Sequence, residues 1–168
     1  MSSRLIRVEP LTADAYAAFG SVIEAEQGPH RPANQGRARV WDRLAQLVNL
    51  RDEARANLSV FRCTPDHARP IALRCFERHP FSTQVFVPMQ ATRYLVVVAP
   101  GDSAPRLEEA RAFLVSGRQA VSYAPGTWHH PMIALDIDTD FACIVFENGS
   151  SGDCEVASID SALSVDLM

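Results

Sequence analysis

The chain reads as mainly β, a sandwich or barrel of short strands with a few short helices. Two observations predict this class. First, β-branched, aromatic or alternating apolar runs recur along it, at residues 58–63, 71–76, 84–87, 94–99, 120–123, 132–135 and 141–146. Second, Pro and Gly punctuate these runs, as at Pro100-Gly101-Asp102 and Pro125-Gly126. Many short strands separated by such turns build sandwiches and barrels.

The elements follow in order. Thr12 is placed to cap a short helix over 13–19, about two turns long, with Asp14 in its first turn and Gly20 at its end. Val22 and Ile23 read as a brief strand. Residues 24–39 are polar and rich in Gly and Pro, which predicts a long loop, and long loops in compact domains are often functional. Over 40–54 the positions of Trp41, Leu44, Leu47 and Val48 fit a helix, with a strand through 39–41 as the alternative. The seven runs above are the strands. Residues 107–113 open on acidic residues and carry Arg111 near their end, the pattern of one more short helix. The tail from Ala157 is amphipathic, a strand or helix covering an edge. No repeat or low-complexity tract divides the chain, so residues 1–168 are expected to form one domain.

Composition narrows the function. Hydrophobic residues make up 47% and charged residues 21%, ordinary globular values. The net charge of −4 gives no basic footprint for nucleic acid. No apolar run is long enough to span a bilayer as a helix, and the first residues do not form a signal region. A cytoplasmic protein without a nucleic-acid or membrane partner is the expectation. Cys63, Cys75, Cys143 and Cys154 form no C-x-x-C pair, which argues for packing over zinc or disulfide roles.

Histidine is scarce, five in all, and three fall in two stretches: Glu77-Arg78-His79-Pro80 through Pro88, and Tyr123-Ala124-Pro125-Gly126-Thr127-Trp128-His129-His130-Pro131. Each sets metal-capable or acid/base side chains beside a strand-like run. Two distant strands of one barrel can aim these imidazoles into a common cavity.

These stretches, with Ala18-Phe19-Gly20-Ser21-Val22-Ile23-Glu24, Thr83-Gln84, Val87-Pro88-Met89 and Gly152-Asp153-Cys154-Glu155-Val156, make the chain resemble the ureidoglycolate lyase family nearly end to end. The resemblance implies a cupin-type double-stranded β-barrel (a jelly roll). It implies cleavage of (S)-ureidoglycolate to glyoxylate and urea in allantoin breakdown, and a homodimer. It also implies a divalent metal, nickel being the ion associated with the family. Matched to the cupin ligand pattern, Glu77 stands in the place of the first His, His79 matches the second, Gln84 replaces a Glu, and His129 matches the last. Glu77, His79, Gln84 and His129 are therefore the expected catalytic and metal-holding residues.

The substrate is a hemiaminal, so the site needs a base, an acid, a carboxylate clamp and hydrogen bonds for urea. Arg62 is the candidate clamp, because it alternates with Phe61 and Cys63 and guanidinium pairs two-pronged with carboxylate. Asn34, from the long loop, and the hydroxyls of Tyr94 and Tyr123 are candidate substrate contacts. His130 directly follows His129, so strand alternation turns it to the other face. It is expected behind the site or at a subunit interface, and is kept as a candidate substrate contact. An amidohydrolase releasing ammonia, a non-catalytic small-acid-binding cupin and a metal dioxygenase are the alternatives. Glu77 and Gln84 depart from the fuller His/Glu ligand set that a dioxygenase iron requires.

Overall fold

The computed structural model describes residues 4–90 and 92–167. Its strands and helix run in chain order as β1 Arg4–Pro10, α1 Ala13–Tyr16, β2 Gly20–Ile23, β3 Arg31–Ala33, β4 Ala38–Val40, β5 Arg55–Cys63, β6 Ile71–Arg78, β7 Gln84–Pro88, β8 Arg93–Ala99, β9 Arg111–Ser116, β10 Ala120–Tyr123, β11 Trp128–His129, β12 Ile133–Ala134, β13 Thr139–Glu147 and β14 Glu155–Asp166. No helix among the described residues is long and apolar enough to cross a membrane.

Two large sheets carry the fold. The larger has the order β11-β6-β14-β1-β9-β8-β12, and β11 pairs with β8 as well as with β6, so the sheet closes on itself. The smaller has the order β2-β10-β7-β13-β5. Alternation along β8 shows how they share a core. Leu95, Val97 and Ala99 join Ile6, Leu73, Phe76, Trp128 and Val165 in one buried cluster. Tyr94, Val96 and Val98 join Phe86, Val121, Tyr123 and Phe141 of the smaller sheet in a second. Both faces of β8 are buried, so it reads as a continuous apolar run rather than an alternating one. This is the mainly β, closed barrel expected of a cupin-type chain.

Several local expectations are corrected. The first helix is only four residues long, although Thr12 does cap it, accepting from the Ala15 amide at 3.2 Å. Gly20 is not its C-cap; it begins β2, pressed against the Ser122 carbonyl where no side chain fits. The loop over 24–39 contains the β3–β4 hairpin, whose tip puts Asn34 and Gln35 in left-handed conformations at φ 49° and 58°. Residues 41–54 are not helical. They form an extended strap, held where the Val48 amide donates to Thr83 Oγ1 and the Leu50 amide to the Phe81 carbonyl. The helix expected over 107–113 is a single 3-10 turn followed by β9. Ala112 and Phe113 lie in different cores, which a strand between two layers achieves and a surface helix does not. Residues 4–10, which the sequence assigns to no strand, form β1, parallel to both β14 and β9. The tail is the strand β14.

Candidate active site

The two histidine stretches meet. In the larger sheet, His129 of β11 pairs with Glu77 of β6, which puts both side chains on one face. Trp128 points the other way into the barrel core, where the Arg78 guanidinium lies 4.6 Å above its ring. His79 follows the end of β6, and its ring faces that of His129 at 6.0 Å with 19° between planes. Ligand atoms of Glu77, His79 and His129 all lie within 4.8 Å of one another. Glu77, His79 and Gln84, the last at the start of β7, line one cavity of about 440 Å³.

Each imidazole is held by its far nitrogen. His79 Nδ1 sits 2.9 Å from the Asp153 carbonyl, and His129 Nδ1 sits 3.0 Å from the Thr127 carbonyl. A carbonyl accepts only, so the hydrogen-bond network assigns the proton to Nδ1 in both rings. Both Nε2 atoms are then bare acceptors. Tyr123 stacks on His129 at 3.9 Å and 9°, fixing the ring plane.

Seven buried side-chain polar atoms among the described residues have no hydrogen-bond partner, and three of them belong to residues of this site: His79 Nε2, His129 Nε2 and Gln84 Oε1. The His129 Nε2 to Glu77 Oε1 separation of 3.4 Å exceeds an ordinary hydrogen bond. An unsatisfied buried polar group costs about 1–3 kcal/mol. Two bare imidazole nitrogens and a carboxylate within 4.8 Å of one another fit a divalent cation, and two imidazoles with an oxygen donor suit nickel, zinc or a related ion.

Electrostatics favour the ligand forms of His79 and Glu77. Burial, and then the neighbouring His129, hold His79 below the ordinary imidazole range. Burial works to raise Glu77, but His129, His79 and His130 outweigh it and hold the carboxyl low. Burial thus favours the neutral form of His79, and Glu77 stays an ionised carboxylate at neutral pH.

The other expected residues are placed differently. Arg62 does not line the cavity. Phe61 turns inward against Phe86, so alternation sends Arg62 out, where it pairs two-pronged with Asp140 at 2.7 and 2.8 Å. Asn34 lies exposed at the β3–β4 tip, outside the cavity lining. The Tyr94 hydroxyl is used by the Gln119 carbonyl at 2.6 Å, and that of Tyr123 by Met132 Sδ at 3.4 Å. Tyr123 serves the site through its ring. His130 lies behind the cluster, edge-on to Phe76, with Nδ1 on the Pro131 carbonyl.

Sequence reasoning missed the opposite wall: Asn57, Ser59 and Phe61 of β5, Cys143, Val145 and Glu147 of β13, and Cys154. Asn57 donates to Glu147 at 2.7 Å. Burial pushes the Cys143 and Cys154 thiols each up to about 11, so both stay protonated packing groups at neutral pH. The i, i+2 spacing of Asn57, Ser59 and Phe61, and of Cys143, Val145 and Glu147, was the available signal.

A family model described as ureidoglycolate lyase matches residues 3–166. A ureidoglycolate lyase of Burkholderia cepacia is 42% identical over 165 residues, covering 97% of this chain and 91% of that protein. One from Azotobacter vinelandii is 40% identical over 154 residues, covering 90% of each. One from Pseudomonas syringae pv. tomato is 38% identical over 152 residues, covering 90% of this chain and 88% of that protein.

Proposed function

The chain belongs to the ureidoglycolate lyase family, and from that premise we propose that it cleaves (S)-ureidoglycolate to glyoxylate and urea in the Glu77–His79–Gln84–His129 cavity. It is a carbon–nitrogen lyase, and residues 1–168 act as one cupin-like domain. The observation that carries the site is the convergence of Glu77, His79 and His129 within 4.8 Å, with both Nε2 atoms buried and unpartnered and the unpartnered Gln84 Oε1 on a residue lining the same cavity as Glu77 and His79.

The reaction consumes no water. The substrate hydroxyl gives up its proton, its oxygen becomes the carbonyl of glyoxylate, the C–N bond breaks, and the leaving ureido nitrogen takes a proton. His79, His129, Glu77 and Gln84 would hold a divalent cation, with nickel the proposed ion. Such an ion, when bound, supplies Lewis acidity for the substrate's carboxylate and hydroxyl oxygens. The Asp153 and Thr127 carbonyls orient the two rings, and Tyr123 backs His129. Asn57, Ser59 and Glu147 offer donors and acceptors matched to a ureido group.

We place the protein in the cytoplasm as a homodimer. Four free cysteines suit a reducing compartment. The outer face of the smaller sheet exposes Leu58, Val60 and Val87, with Val60 and Val87 aligned across Ala142 and Met89 just beyond β7. An apolar patch of this kind marks a protein contact.

Incubating purified protein with (S)-ureidoglycolate tests the reaction. Equal release of glyoxylate and urea without ammonia is expected, and His129→Ala should lose at least about 100-fold in turnover. Ammonia in place of urea would establish the amidohydrolase instead.

A further inference from the structure

The ring of His79 is oriented by a backbone carbonyl, and that carbonyl lies in a loop. Residues 148–154 connect β13 to β14 and contain no regular structure beyond turns. Something must fix Asp153 well enough to hold an imidazole at 2.9 Å. The Asp153 carboxylate supplies it. It accepts from the Gly149 amide at 2.7 Å and the Asn148 amide at 3.2 Å, folding the loop around itself. It also pairs with the Arg51 guanidinium, and the two side chains are only 10% and 13% exposed.

Arg51 comes from elsewhere, the strap before β5. Its guanidinium also reaches Asn148 Oδ1 and Ser150 Oγ at 3.4 Å and lies 5.0 Å over the Phe81 ring. Phe81 follows His79 by two residues, and its carbonyl accepts from the Leu50 amide at 2.8 Å. One side chain therefore joins the strap, the β6–β7 connection and the β13–β14 loop around His79. His129 has no such tie; its partner carbonyl, Thr127, is two residues away in the same turn.

We propose that Arg51 and Asp153 form a positioning pair: through the Asp153 carbonyl they fix the Nδ1–H tautomer of His79 and so aim its bare Nε2 into the cavity. The inference rests on the cavity assignment above but not on the reaction catalysed there. Partners one step behind a metal-ligating histidine set its tautomer and ring orientation, and losing them typically weakens metal affinity about 10–100-fold.

The test is ring ¹⁵N NMR of the full-length chain with divalent cations removed by chelation, with His129 as the internal control. The parent should show His79 as one Nδ1–H tautomer. In Arg51→Ala and in Asp153→Asn, His79 should shift to a tautomer mixture while the His129 pattern stays unchanged, and Ni²⁺ titrated by calorimetry should bind at least tenfold more weakly. Arg51→Lys keeps the charge and should recover part of both signals. If Arg51→Ala does not fold, Asp153→Asn and Arg51→Lys make the same distinction. A His79 ring that stays Nδ1–H in the folded variants overturns the proposal, as does a His129 pattern that changes equally. Failure of the urea assay with the tautomer shift intact would sink the reaction and leave this pair standing.

Discussion

Replacing Gln84 with Glu changes charge at the site with almost no change in shape. Gln84 is 3% exposed, and its Oε1 has no partner. A carboxylate there would be desolvated and would share the cavity with Glu77 and Glu147. Both effects raise its pKa, and a shift of about 2–3 units from 4.3 is typical of such sites. The sign follows from proton linkage. Below about pH 4.3 the new acid is protonated in both states and costs little. As pH rises toward about 7 the unfolded chain ionises first, so stability falls, and the loss is complete near pH 8. At 1.36 kcal/mol per unit the loss is about 3–4 kcal/mol. For a chain of this size that lowers Tm by about 6–16 °C. A divalent cation should reverse it, since Gln84→Glu adds a negative ligand and binding to the native state alone stabilises it. Thermal melts at pH 8 with EDTA, then with Ni²⁺ or Zn²⁺, read both effects. A variant that melts with the parent under all three conditions would refute the reasoning, because Gln84 would then lie outside the charged cavity.

Two further outcomes follow from burial. His79 and His130 are both held below the ordinary imidazole range, in each case chiefly by burial. Unfolded histidine takes up its proton near pH 6.5, so below that pH the unfolded state binds more protons and stability falls. Each residue contributes up to about 1.4 kcal/mol per pH unit. Urea melts of the chelated protein from pH 7.5 to 5 should show this slope, and a flat profile would contradict it. On the exposed sheet face, Leu58→Glu with Val60→Glu removes two apolar side chains from the proposed subunit contact. Burial of each is worth about 1.5–3 kcal/mol, so the dimer Kd should rise at least about a hundredfold. Sedimentation of parent and variant decides it, and a parent that stays monomeric would dismiss the contact.

The sequence was legible where chemistry and strand period coincide. Glu77 and His129 lie in strands and His79 at the end of one, so the pattern that suggested a shared cavity also fixed the faces they point to. It was legible for most strands too, because their apolar runs are short and bounded by Pro or Gly. It misled where period was right and the inside was misjudged. Arg62 does alternate with Phe61, but the cavity wall takes the aromatic ring, still half-exposed, and leaves the guanidinium to Asp140. It misled again over 107–113, where helical composition lost to tertiary burial of Ala112 and Phe113 on opposite faces. The carbonyls that orient the histidines were beyond reach, since any residue has one and only the folded loop selects Asp153 and Thr127.

The charge of the cavity links substrate to cation. Glu77 and Glu147 both line it, and its lining contains no Arg. All 16 basic residues of the chain are arginines, and the expected clamp, Arg62, is held outside by Asp140. A substrate carboxylate about 4 Å from one ionised Glu meets a repulsion of about 4 kcal/mol at an effective dielectric of 20. Left uncompensated, that is about a thousandfold loss of affinity. A divalent cation held by His79, His129 and Glu77 would reverse the sign of the field at the same position. Anion binding and cation binding would then be one coupled equilibrium, each strengthening the other by the same factor. The acidic groups that would repel the substrate are the same ones that would attract the cation.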